Sequence, residues 1–326
     1  MESNILIDLS EYLIHTDIFK FILPIIDEYV RYTFNNNEEI KIAVDEWCEN
    51  KDKAIIKYGY ISYWNTQYIT DMRELLKHKY SFNEPLDWNT NNVIDMQNMF
   101  DHAKSFNQPL NLDTSNVTNM NGMFRGAISF NRPLNFNTCN VTNMQYMFSS
   151  AWSFNQPLNF DTEKVINMSN MFCNEQIFNQ PLNFNTINVT NMNGMFLYAC
   201  SFNQSLDWNT KNVTNMEMMF AQAKSFNQSL NFTTTSNVTN MEMMFSGAES
   251  FNQQLNFDTS NVTNMLYMFN NAKSFNQYLN WNTSKVNDMD SMFCHASSFN
   301  QLLNFDMSNV TNVNRMFTGT CIGQND

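Results

Sequence analysis

A fixed internal repeat limits what this chain can fold into. The Phe-Asn pair returns at Phe82, Phe106, Phe130, Phe154, Phe178, Phe202, Phe226, Phe251, Phe275 and Phe299, a step of 24 residues lengthened once to 25 by the extra threonine in Thr233–Thr235. A period of this size marks layers that cannot bury their apolar faces alone and need neighbours to do so. A degenerate unit precedes the full ones: Trp64-Asn65-Thr66 and Met72 stand 24 residues before Trp88-Asn89-Thr90 and Met96. The array therefore begins near Tyr58 and runs to about eleven units.

Inside a unit such as Phe106–Ser129, two periods can be separated. Leu110 and Leu112 alternate with Asn111 and Asp113, the period of two that a short strand shows. Val117, Met120, Met123 and Phe124 share one face of a helical turn, with Asn116 and Thr118 offering cap chemistry. The position of Leu110 is Leu in every full unit, that of Val117 is Val, and Met-Phe recurs at Met123-Phe124. Positions identical in all units read as core. The expectation is an α/β repeat solenoid, leucine-rich-repeat-like, with about eleven 24-residue coils, each a short strand plus a short helical turn.

A stack of this kind needs a sealed end. Ile40, Ala43, Val44 and Trp47 fall at helical spacing behind Asn37, which can cap the helix, and Glu38 and Glu39, which suit its first turn. Three segments result: an N-terminal helical segment over 1–36, a capping helix over 37–57, and the array over 58–326.

The pattern F-N-x-P-L-x-[FW]-[DN]-T-S-N-V-T-[ND]-M-x-x-M-F resembles the BspA-type leucine-rich repeat, the DUF285 family. It covers about Tyr58 to Phe317, with the proline kept only in the first five full units. The resemblance implies a leucine-rich-repeat-like fold, and many relatives are surface proteins used in adhesion. Arrays of this type without secretion signals occur in large DNA viruses and protists, and the Asn-, Ile-, Phe- and Lys-rich composition suits an AT-rich genome.

Net charge is −13 and charged residues make up 15 % of the chain. Nucleic acid and anionic membranes both demand clustered Lys and Arg, so neither is an expected partner. The N-terminus carries acids where a secretory signal is basic, and no apolar run reaches the length of a spanning helix. The expected location is cytoplasmic or otherwise intracellular, without membrane insertion. The six cysteines form no C-x-x-C pair, which argues for free thiols over a zinc site or a disulfide framework.

No constellation for catalysis stands out. His102 and His295 share a repeat phase but lie eight units apart, and no Gly-rich phosphate loop is present. The expectation is a protein that is not an enzyme and holds no cofactor or metal. Recurrent Asn-Val-Thr sequons read as turn chemistry, Met-x-x-Met pairs as packing, and the Asn of each Phe-Asn pair as a hydrogen-bonded ladder.

Function is then sought where units differ. Tyr146, Trp152, Tyr198, Tyr267, His102 and Arg125 form a candidate partner face, since exposed aromatics and Arg favour protein contacts. A candidate strand face carries Asp87, Asn111, Asp113, Asp161, Asp207, Asp258 and Asp306. The leading reading is an interaction scaffold for another protein, with self-association through the last coil. The alternatives are a surface adhesin or carbohydrate binder, and an adaptor whose residues 1–36 act as an F-box-like hook.

Overall fold

The computed structural model describes residues 31–322. The expected segment over 1–36 lies mostly outside them, as does the F-box-like hook. Residues 31–36 are not helical. Thr33 bridges Asn65 in parallel, Phe34 N donates to Asn65 O (3.1 Å), and Asn65 N donates to Tyr32 O (3.0 Å).

Helix α1 spans Asn37–Glu49 and α2 spans Lys51–Tyr58. The N-cap of α1 is Asn36, whose side chain accepts from Glu39 N at 2.9 Å, one residue earlier than the sequence suggests. Asn37 is thereby released for another task. Its Oδ1 accepts from Thr70 N (3.2 Å) and Asp71 N (3.3 Å), pinning the helix to the first unit of the array. Asn50 breaks the expected single helix and caps α2 by accepting from Lys53 N. Ile40, Ala43, Val44 and Trp47 are buried as one stripe, closing the array from one side.

The repeats correct the expected fold class. Among the described residues the helices are α1, α2 and one short 3₁₀ turn at Ile61–Tyr63, and no strand is present. The repeating units are turns and irregular backbone. An α/β solenoid with a strand and a helical turn in each coil does not describe them, and the leucine-rich-repeat form implied by the resemblance fails with it.

The helical turn fails because its amides are divided between two sets of acceptors. In an α-helix each N–H donates four residues back. Here Met120, Gly122, Phe124 and Gly126 donate forward to Asn143, Gln145, Met147 and Ser149 of the next unit, at 2.8–3.0 Å. The alternate amides, Met123, Arg125 and Ala127, donate three residues back at 3.0–3.2 Å, each closing a β-turn. Two of these turns carry a positive φ at the third residue, Gly122 (59°) and Gly126 (64°), as a type II turn requires. The pair of left-handed residues recurs in other units, at Tyr146 and Ser150, Asn170 and Asn174, and Tyr267 and Asn271.

The strand fails for a different reason. Two adjacent bridges are needed to begin a ladder, yet the Leu-x-aromatic segment makes isolated bridges at Leu86–Leu110 and Leu206–Leu230 only. The continuous parallel contact lies elsewhere, in ten bridges that run from Asp71 through Asn119 to Asn312. The alternation of Leu110 and Leu112 does hold in burial, with both side chains in the core and Asn111 and Asp113 exposed.

Packing between units is in register. Phe124 and Phe148 stack at 5.7 Å with planes 5° apart, Phe130 and Phe154 at 6.0 Å and 3°, and within a unit Phe124 meets Phe130 at 4.3 Å. Val117, Met120, Met123 and Phe124 have no exposed area. The methionines thus fill the core as packing side chains, and flexible thioethers suit the gaps between stacked rings.

Candidate functional site

Most polar positions that recur are consumed by bonds between units. In the Phe-Asn column Asn107 N donates to Asn83 Oδ1 at 2.9 Å, and Asn131 N donates to Asn107 Oδ1 at 3.1 Å, as the ladder reading expects. The sequon asparagines act likewise. Asn116 Nδ2 donates to Asn91 O and Asn140 Nδ2 to Ser115 O, at 2.7 and 2.8 Å, so the amide is held by the preceding unit.

A third ladder carries no signal in the sequence beyond its repetition. Thr114 is buried and its hydroxyl donates to Asn137 O at 2.9 Å, and Thr138 repeats the bond to Asp161 O at 2.8 Å. A short turn residue at the surface would look the same in sequence.

The expected strand face divides into two classes. Asp113, Asp161, Asp258 and Asp306 each accept from the backbone N–H two residues on, at 2.9–3.0 Å, forming Asx turns. Hydrogen bonds from Ser115 hold the Asp113 carboxyl below the usual range, and those from Ser260 and Ser308 do the same for Asp258 and Asp306. These four are turn formers. Asp87, Asn111 and Asp207 are exposed and their side chains make no hydrogen bond, so they are the part of this row free to meet a partner.

The expected partner face is not one patch. Tyr146 and Tyr267 occupy the first left-handed position of their turns and lie five units apart, each half-buried. His102 and Tyr198 occupy the second left-handed position. His102 and Arg125 do come together, on a buried acid: Asp101 Oδ1 lies 2.6 Å from His102 Nδ1 and 3.2 Å from Arg125 Nε. Gly126 lies over the His102 ring, where a Cβ would meet Cδ2 at 2.8 Å. This group ties two neighbouring units by charge, and its heads remain half-exposed.

Trp152 and Tyr198 are exposed, at 47 % and 49 %. They share a corner of the array with Ile177 (45 %), a residue that sequence reasoning passed over. The same corner holds another missed residue, Glu175. It stands where other full units have Ala103, Ala127, Ala151 or Ala199, and it is completely buried with neither carboxylate oxygen hydrogen-bonded. Burial pushes its pKa from 4.5 up to about 9. The nearby Ala151 N–H opposes the shift weakly, since it already donates to Phe148 O at 3.0 Å.

Glu175 also disturbs the backbone. Other full units close two turns here, as Ala151 N to Phe148 O and Phe154 N to Ala151 O do, and neither equivalent is made at Glu175 or Phe178. The signal was present in the sequence as Cys-Asn-Glu-Gln-Ile where the preceding unit reads Ser-Ser-Ala-Trp-Ser.

Among the described residues no cluster of His, Cys, Asp and Glu could hold a metal ion, and no helix is long and apolar enough to cross a membrane. The cysteines are free. An open groove of about 750 Å³ runs over Tyr68, Thr70, Asn92, Ile94, Asn116, Thr118, Asn140 and Lys164. It is shallow, and the Thr118 hydroxyl in it is turned to the Ile94 carbonyl of the preceding unit at 3.3 Å.

No curated protein and no solved structure matches the chain. A family model does match, over residues 29–159, 110–186, 157–257 and 255–325, and these overlapping segments follow the array from its first unit to its last. The repeating chain therefore belongs to the family described as Mycoplasma protein of unknown function, DUF285.

Proposed function

We propose that the chain is a non-enzymatic scaffold that binds another protein along the side of the array. The observation that carries this reading is the division of labour among positions. Residues shared by all units are occupied by core packing or by bonds between units, whereas large exposed apolar side chains gather where units differ, at Trp152, Ile177 and Tyr198. Exposed aromatics that pack against nothing in their own chain favour protein contacts. Among the described residues no serine, threonine or cysteine is hydrogen-bonded to a histidine, the nucleophile–base pairing that acyl or group transfer calls for.

Cross-linking of the full chain in host lysate, with mass spectrometry of the linked peptides, tests this. Protein cross-links concentrated on Lys104, Lys224 and Lys273 are expected. Binding to a glycan array, with no protein cross-linked to any of these lysines, would overturn the reading in favour of a carbohydrate-binding surface protein.

A further inference from the structure

At one corner of the array, the backbone of each unit is stapled to the unit before it. Ser129 N donates to Lys104 O at 3.2 Å, and the bond recurs from Ser225 to Cys200, Ser250 to Lys224, Ser274 to Glu249 and Ser298 to Lys273. Three consecutive units depart from this. The bond is absent at Ser153 and at Ile177, and in the next unit Cys200 N donates to Glu175 O while the Ser201 hydroxyl takes Gln176 O at 2.6 Å. Two backbone pairs are therefore left open.

The same three units carry the exposed apolar run. Trp152, Ile177 and Tyr198 fall in successive layers, with half-buried Ile128 continuing the run into the layer before them. Elsewhere the corner is polar or charged, except at Tyr80, which is 52 % exposed in the layer beyond Lys104. Lys104 bounds the run on one side and contacts no acid, lying over the Tyr80 ring at 4.9 Å. Lys224 bounds it on the other, sharing Glu249 with Lys273 at 3.6 and 2.8 Å. One acid between two lysines leaves that flank positive, on a chain whose net charge is −13.

The geometry points to a docking surface for an extended acidic segment of a partner protein, with apolar residues at its centre seated on Ile128, Trp152, Ile177 and Tyr198 and acidic residues at its ends meeting Lys104 and Lys224. The surface rests on the scaffold reading and names the partner chemistry for it. Lys104 and Lys224 are five layers apart, or roughly 24 Å at ~4.8 Å per layer, a span that about seven or eight extended residues cover. The open backbone groups at Ser153 and Ile177 supply hydrogen bonds that such a segment takes up, as an added strand does at a sheet edge. Charge at both ends sets direction and association rate more than total affinity.

The test is a selection of displayed random 12-residue peptides on the full chain, followed by affinity measurement on variants. Enriched peptides are expected to carry an apolar centre with Asp or Glu on both sides. Their affinity should fall at least tenfold on Trp152→Ser/Ile177→Ser/Tyr198→Ser, and similarly on Lys104→Glu/Lys224→Glu, with melting profiles unchanged. Trp152 is the exposed tryptophan among the six, the others being at most 6 % exposed, so peptide binding should protect fluorescence from iodide quenching. Enriched peptides that are basic, or that bind both variants at full affinity, would overturn the corner while leaving a scaffold with its site elsewhere. An absence of enriched peptides would overturn both.

Discussion

The two ends of the array are built from the same columns of residues and end in opposite states. At the N-terminal end Phe34, Ile40, Val44, Trp47 and Trp64 are at most 4 % exposed, with Phe34 and Trp47 set against Trp64 at 4.9 and 5.9 Å. At the other end Val313 and Phe317 are 48 % and 38 % exposed, although their counterparts one unit earlier, Met289 and Phe293, are fully buried. The N–H groups of Val313, Arg315, Phe317 and Gly319 have no acceptor among the described residues, whereas the same amides in every interior unit donate forward. The lesson is that burial here belongs to the neighbour more than to the residue. A layer's core side chain counts toward stability only when another layer or a helix covers it.

The largest expected effect is at the covered end. Trp47→Ala should lower the unfolding free energy by about 3–5 kcal/mol, and hydrogen exchange should show protection lost first in the units nearest α1. Uniform loss along the whole chain would mean that the array folds as one block and that its ends are not special.

Glu175 tests whether an interior fault outweighs an open end. Its folded pKa of about 9 exceeds the ordinary 4.5. The folded state therefore binds the proton more tightly, and the stability this residue permits is greatest below pH 4.5 and falls as pH rises toward 9. At pH 7 the deficit is about 3 kcal/mol. Glu175→Ala, which restores the alanine of the other units, should stabilise by about 2–3 kcal/mol at pH 7 and flatten the pH dependence of chemical denaturation between about pH 5 and 9. An unchanged slope across that range would show that the carboxyl is not kept protonated.

A smaller effect separates interior from edge within one ladder. Thr138→Val deprives Asp161 O of its buried donor and should cost about 1–3 kcal/mol. Met307 occupies the matching position in the last unit, where no described unit follows to receive a bond. Met307→Thr should change stability by less than about 0.5 kcal/mol. Equal costs at the two positions, measured by denaturant unfolding, would remove the distinction.

The smallest effect on stability is expected at the open end, where association should report instead. The free groups there are mainly donors, so two such ends do not complement each other through the backbone, and contact rests on Val313 and Phe317. Val313→Asp should alter stability by less than about 1 kcal/mol while shifting sedimentation of concentrated protein toward the monomer. Identical profiles for both proteins would exclude this end as the contact.

The core was legible because it is written ten times. Val117, Met120, Met123 and Phe124 are identical or nearly so in each unit, and buried columns tolerate little else. The backbone was not legible from the same letters. Step sizes of three and one among those residues fit a helical turn as well as linked β-turns, and the choice depends on amides that find carbonyls 23 residues away. The Asn83–Asn107 ladder was readable because a repeated amide in a turn has few other uses. Thr114 was not, since an exposed turn threonine and a buried donor look alike in sequence. Of the candidate site, Trp152 and Tyr198 were found as differences between units. Glu175 and Ile177 are also differences, but an isolated acid in an irregular turn reads as solvated surface until its burial is known.

Because the interior units present matching donors on one side and acceptors on the other, a unit gained or lost through slippage of the gene would enter or leave as a complete layer, with the forward amide bonds across the junction remade. The single 25-residue unit shows how even an out-of-step insertion is absorbed. The Asn215–Asn240 bridge keeps its place, and the strain is taken by Leu230 and Phe232, which become only partly buried. Copy number is then a freely adjustable dimension of this molecule, able to set how far the corner lies from either end without redesigning a single contact.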